Sequence, residues 1–273
     1  MVARTYAWPV SAWRQRLRAS LRRALYRRGY VLQGSPYPVD PDVLRRTGEY
    51  YPIDFDPAWI ETIERVAPFS QTSPERLAAV CATTEYVVAA QIPGSFVECG
   101  VWRGGSMMAA ALTLMRLGAG DRDLYLYDTF AGMTRPTELD RDYAGTPTMP
   151  AWRRYQEGER DPCAVPVDEV RDALGQTGYD AARLHFVEGP VERTLPDRAP
   201  ARIALLRLDT DWFESTRHEL VHLYPRLTPG GVLIIDDYGH FAGARRATDE
   251  YFAANPLLLS RIDYTGRLAV KPR

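Results

Sequence analysis

The 273-residue sequence predicts an α/β fold, a mostly parallel sheet covered by helices on both faces, with an antiparallel hairpin at its C-terminal end. Three observations predict it. Short apolar runs alternate with helix-period segments through the middle of the chain, as a parallel sheet requires when each crossover is a helix. A glycine-rich turn follows the first run and leads into a helix, the place where open sheets receive ligands. Two later runs end in acids, Asp209-Thr210-Asp211 and Asp236-Asp237, as strands finishing on one sheet edge would.

The elements follow in order. Residues 12–28 place Trp13, Leu17, Leu21 and Leu25 at helical spacing with arginines between them, an amphipathic helix. Its eight arginines between Arg4 and Arg28, with no acid before Asp40, suit packing on the domain, on a partner chain or on an anionic membrane. From Gly34 to Pro57 the chain is rich in Pro, Asp and Tyr and reads as an extended cover, so residues 1–70 form an arm and cover before a main domain over 71–273. Ser73-Pro74-Glu75 opens a helix over 76–91. Buried strands are predicted at Phe96–Val101, Leu124–Asp128, Leu184–Glu188, Ile203–Asp209 and Val232–Asp237, and helices at Ser106–Leu117, Glu214–Leu227 and Gly243–Phe252. Leu258–Val270, turning at Thr265-Gly266, forms the hairpin. More than fifty residues separate the second and third strands, with five prolines from Pro136 to Pro166 plus Trp152 and Tyr155; this insertion, 131–183, reads as a lid, a binding loop or disorder.

Composition narrows the function. Hydrophobic residues at 45% and charged residues at 25% exclude a disordered or collagen-like chain. A net charge of −1 provides no global field for nucleic acid. Cys81, Cys99 and Cys163 are too few and too scattered for a disulfide framework or a closed zinc site, which points to a reducing cytoplasm. The longest apolar run, Met107–Met115, is about half a membrane span, and no signal-peptide core follows the arginines, so a soluble, unexported protein is expected. Lys271, the single lysine, stands near the end of the chain and is a poor candidate for a nucleophile.

Two constellations carry chemistry. The first strand runs into Glu98-Cys99-Gly100-Val101-Trp102-Arg103-Gly104-Gly105-Ser106, where glycines admit a ligand to the backbone and a helix N-terminus offers free N–H groups. Asp128 ends the next strand, placed either to accept ribose hydroxyls or to cap its own turn through Thr129. The four acids Asp209, Asp211, Asp236 and Asp237 can converge on one hard cation such as Mg2+; otherwise Asp211 caps a helix with Glu214, and Asp236-Asp237 turns the chain. His218-Glu219-Leu220-Val221-His222 matches the zinc-protease pattern H-E-x-x-H, but helical spacing puts both histidines opposite the apolar face, and no third ligand is in view.

The combined motifs resemble those of the macrocin O-methyltransferase (TylF-type) family. They are Thr72-Ser73-Pro74-Glu75-Arg76, the run from Pro93 through Ser106, Asp128 to Met133, Leu206 to Thr216, and Gly230 to Gly239. The resemblance implies a Rossmann-like class I methyltransferase fold and an S-adenosylmethionine- and Mg2+-dependent enzyme that methylates a hydroxyl of a small molecule, often on a natural-product sugar. Carried over by position, it assigns Glu98, Gly100, Ser106, Asp128 and Gly189 to the cofactor, Asp209, Asp236 and Asp237 to the metal, and Asp211 to the general base. A cation on two adjacent substrate oxygens would further imply a vicinal diol or similar chelating pair. No nucleic acid or transmembrane partner is expected, and the assembly expected is a homo-oligomer. The rival readings are a metal-dependent glycosyltransferase using Asp209-Thr210-Asp211 and a non-catalytic cofactor-binding protein.

Overall fold

The computed structural model describes residues 51–273, so the arginine-rich helix expected over 12–28 lies outside the described residues. Helices α1 (Pro57–Val66) and α2 (Pro74–Ala89) precede strand β1 (Ser95–Cys99). Then come α3 (Gly105–Arg116), β2 (Leu124–Asp128), α4 (Met149–Gln156), α5 (Val167–Gly175) and β3 (Leu184–Glu188). The rest is α6 (Val191–Thr194), β4 (Ile203–Leu208), α7 (Phe213–Leu223), β5 (Leu227–Ile235), α8 (Ala242–Phe252), β6 (Ser260–Arg261) and β7 (Arg267–Val270). The seven strands lie in the order β3-β2-β1-β4-β5-β7-β6, with β7 antiparallel to its neighbours and the first five parallel.

The strands alternate between two cores, as a sheet buried on both faces must. Phe96, Leu205, Val232 and Ile234 face one core with α1, α2, α3 and α5. Val97, Cys99, Leu206, Leu208, Leu233 and Ile235 face the other, with α6, α7 and α8. Ser73 caps α2 by accepting from the Arg76 amide at 3.2 Å, and Asp56 caps α1 through the Ala58 amide at 2.7 Å. Ile60, Ile63 and Val66 bring α1 into the first core, so residues 51–70 pack into the same body as the domain that follows.

The insertion is built differently from the irregular lid expected over 131–183. Its last part is α5, the β2–β3 crossover helix, which buries Val170, Ala173 and Leu174. The preceding stretch folds over the C-terminal edge of the sheet and is tied down by indole N–H donors: Trp102 to the Pro162 carbonyl at 3.0 Å, Trp152 to Met133 at 3.1 Å, and Trp212 to Thr134 at 3.0 Å. No helix among the described residues is long and apolar enough to cross a membrane.

Candidate active site

Strand β1 lies between β2 and β4, and the chain order reverses there, so the C-terminal ends of these strands open a crevice. Gly100 leaves β1 at φ +81°, and a Cβ at this position would overlap the carbonyl oxygen of Asp209; only glycine lets the two strand ends approach. Gly100, Asp128, Thr129, Gly189, Asp209, Thr210 and Ser215 line a cleft here, with Met133 and Thr134 of the insertion above it. A second hollow of about 260 Å³ adjoins it, sharing Thr134, Pro190, Glu192 and Ser215.

Asp128 secures the turns on either side of it and lines the cleft. Its Oδ2 accepts from the amides of Val101 at 2.7 Å and Trp102 at 3.1 Å, and its Oδ1 accepts from Phe130 at 2.8 Å. The carboxylate therefore holds the glycine turn in shape while lining the cleft, and its roughly four acceptor sites leave room for a ligand hydroxyl. Burial pushes its pKa up, and the three amides oppose that shift.

Of the five residues assigned to the cofactor by position, Gly100, Asp128 and Gly189 line the cleft. Glu98 and Ser106 do not. Ser106 is buried in the first turn of α3. Glu98, 1% exposed, shares the strand face of Phe96 and turns inward, where its Oε1 accepts from Arg207 Nη1 at 2.5 Å.

The same alternation divides the four acids otherwise than their positions implied. Asp236 follows Val232 and Ile234 on the α2 side, where it pairs with Arg76 and, at 2.5 Å, with Arg207 Nη2. Asp236 is thus occupied by two guanidiniums, and it stands outside the group of acids that lie within reach of one ion. Asp237 turns the other way and meets Asp209 and Asp211, one carboxylate oxygen from each lying within 4.8 Å of the others. Asp211 reaches this cluster with φ +69°, a left-handed conformation that aspartate tolerates better than most residues. Arg207 was not anticipated from the sequence. A lone arginine within the apolar strand Ile203–Leu208 is the signal that could have found it, because a charge buried there must have partners.

The cluster fits a divalent cation. Arg207 Nη1 reaches Asp209 at 2.7 Å, yet among the described residues no ion pair reaches Asp211 or Asp237, and Asp237 Oδ2 is buried with no hydrogen-bond partner. Burial pushes Asp211 up to about 8 and raises Asp209 and Asp237 well above the carboxylate range, because three carboxylates cannot all ionise there without added positive charge. The linkage has a definite sign. A folded-state pKa raised from 3.8 to about 8 means the folded chain holds a proton that the unfolded chain has lost, so stability falls as pH rises through that window. In EDTA the melting temperature is expected to drop between about pH 4 and pH 8, and Mg2+ should flatten the drop at its upper end. A cation-independent pH profile would contradict this account of the cluster.

The H-E-x-x-H helix is not a metal site of the protease kind. Glu219 is fully buried and accepts from the Thr210 hydroxyl at 2.9 Å, whereas His218 and His222 lie partly exposed with ring centroids 4.3 Å apart. Among the described residues, the three aspartates are the one group of three or more that can gather on an ion.

A sheet of this order, parallel except for the reversed strand beyond β5, is the class I O-methyltransferase architecture. The solved structure of the O-methyltransferase NovP overlaps 97% of this chain and all of its own, with a TM-score of 0.67 and 25% identity. CalS11, a calicheamicin methyltransferase, shares the fold at 19% identity and a TM-score of 0.58, over 79% of this chain and 93% of its own. Residues 65–269 match the family described as Macrocin-O-methyltransferase (TylF), and the chain belongs to that family. A relative from Streptomyces olivaceus, 8-demethyl-8-(2,3-dimethoxy-alpha-L-rhamnosyl)-tetracenomycin-C 4'-O-methyltransferase, is 36% identical over 186 residues, 67% of each chain. Demethyldecarbamoylnovobiocin O-methyltransferase from Streptomyces niveus is 34% identical over 179 residues, 66% of each chain. These matches span about two thirds of the relatives' length.

Proposed function

We propose that this O-methyltransferase moves the methyl group of S-adenosylmethionine to a hydroxyl on a sugar or polyol moiety of a natural product, with Mg2+ at the aspartate cluster. The observation that carries the reading is the placement of Asp209, Asp211 and Asp237 beside the cleft of Gly100, Asp128 and Gly189, on one sheet edge. The names of the relatives, which include a rhamnosyl tetracenomycin and a novobiocin enzyme, support the substrate class.

When bound, the cofactor supplies an electrophilic methyl group and the cation a Lewis acid that orients and acidifies a hydroxyl. The chain does the rest. Gly100 and Gly189 let the ligand approach the backbone, and Asp128 both shapes that turn and accepts a ribose hydroxyl. Asp209 and Asp237 would hold the cation. Asp211, beside Asp237 in the cluster and lacking an arginine partner among the described residues, is the group positioned to take the acceptor's proton.

Calorimetry with S-adenosylhomocysteine, set against a panel of sugar nucleotides, separates this reading from a glycosyltransferase. Binding of the first alone is expected, and tight binding of a sugar nucleotide in its place would overturn the proposal. Methyl transfer to sugar-bearing acceptors should cease in EDTA and return with Mg2+, which a cofactor-binding protein without catalysis would not show. Asp128→Ala is expected to weaken S-adenosylhomocysteine about tenfold to a hundredfold, the loss of a charge-assisted hydrogen bond and of the turn it maintains. Unchanged affinity in this variant would remove Asp128 from the cofactor site.

A further inference from the structure

Helix α7 begins where a cap is needed and its own sequence supplies none. The first amides of a helix lack internal acceptors, and Ser, Thr, Asp or Asn normally supplies one from the N-cap position. Here the N-cap is Trp212, which makes no side-chain capping bond. Asp211, two residues ahead of the Phe213 amide, stands where an Asx turn could capture that N–H. It does not do so: at φ +69° it faces Asp209 and Asp237 instead.

The acceptor comes from the insertion. Asp140, 1% exposed, accepts from the Phe213 amide through Oδ1 at 2.7 Å. Its Oδ2 accepts from the Thr137 amide at 2.6 Å and the Thr137 hydroxyl at 2.9 Å, which fixes the carboxylate's direction. The same segment is joined to α8, because Asp142 bridges Phe241 and the Ala242 amide donates to the Arg141 carbonyl at 2.9 Å. Gly243 leaves the space that Asp140 occupies: a Cβ there would overlap Oδ1 and stand 2.8 Å from the Phe213 nitrogen. The insertion therefore touches both of the loops that carry the aspartate cluster, the one before α7 and the one before α8.

We propose that Asp140 is a positioning residue for methyl transfer: by capping α7 from the insertion it releases Asp211 from that task, so that seating the insertion and assembling the Asp209–Asp211–Asp237 cluster are one event. The proposal rests on the cation reading given above.

The test is Mn2+ binding by the full chain, followed by electron paramagnetic resonance, with circular dichroism to establish folding. Wild type should bind one Mn2+ ion and Asp237→Asn should lose it; failure of that control would overturn the cation site, and this proposal with it. Given that control, Asp140→Ala and Gly243→Ala are expected to weaken Mn2+ about tenfold to a hundredfold, the range typical of residues that support metal ligands. Asp140→Asn retains an Oδ1 acceptor for the Phe213 amide but turns an Nδ2 donor toward the Thr137 amide, so its loss should fall between wild type and Asp140→Ala. Thr137→Val, which removes one orienting bond and no packing volume, should give a smaller loss, and it decides the matter if the harsher variants do not fold. Wild-type Mn2+ affinity in folded Asp140→Ala, or in Thr137→Val where that variant must decide, would overturn the proposal while leaving the cation site intact.

Discussion

Asp237→Asn is expected to raise the Mg2+ concentration needed for methyl transfer by an order of magnitude or more, with partial rescue by excess metal. The reason is local. Asp237 turns into the cluster, its Oδ2 is buried without a partner, and no ion pair compensates it among the described residues, so its charge is available to a cation. Asp211→Asn should behave differently. Loss of a general base lowers turnover about a hundredfold to ten-thousandfold, and added metal does not restore it. A Mg2+ titration of methyl transfer for both variants distinguishes the roles. If metal rescues Asp211→Asn, then Asp211 is a ligand and the base must be sought elsewhere. His240, whose Nδ1 lies 2.9 Å from the Tyr264 hydroxyl, is the next group to examine.

Asp236→Ala is expected to act on stability rather than on metal. Its carboxylate, 2% exposed, neutralises Arg76 from α2 and Arg207 from β4, and Arg207 also holds Glu98 and Asp209. Truncating one member of such a buried network strands charge in the interior, at a cost of about 3–5 kcal/mol. Denaturant unfolding measures that loss directly. Asp236→Asn, which keeps the side chain's shape and an acceptor, should lose less, and its Mg2+ requirement should move less than that of Asp237→Asn. A larger shift in Mg2+ requirement for Asp236→Asn than for Asp237→Asn would return Asp236 to the cation.

The residues alone determined the parallel sheet, the position of its strands and the edge on which the chemistry gathers. Strands buried on both faces must be apolar throughout, so the runs at Leu124–Asp128 and Leu184–Glu188 stand out, and both form as expected. One boundary was hidden. β5 starts at Leu227 rather than Val232 because Thr228-Pro229-Gly230-Gly231, which reads as a turn, is absorbed at a register shift against β4. Helix α5 was missed as well: nine residues give too few turns for the pattern Val167, Val170, Ala173, Leu174 to emerge from a proline-rich stretch.

What the tertiary structure decided is the division of labour among the acids. Asp236 and Asp237 are neighbours in sequence and identical in kind, and the strand's two-residue alternation sends one toward two arginines and the other toward Asp209 and Asp211, where it has no ion pair of its own among the described residues. Whether Asp211 caps a helix or joins that cluster depends on Asp140, 71 residues earlier by position and brought to α7 only when the insertion folds across the sheet edge. Local sequence records which groups can ionise and where a chain must turn. The partner that each ionisable group receives is set by packing between distant segments, because a buried charge takes its state from whichever opposite charge or amide the fold brings within hydrogen-bonding reach.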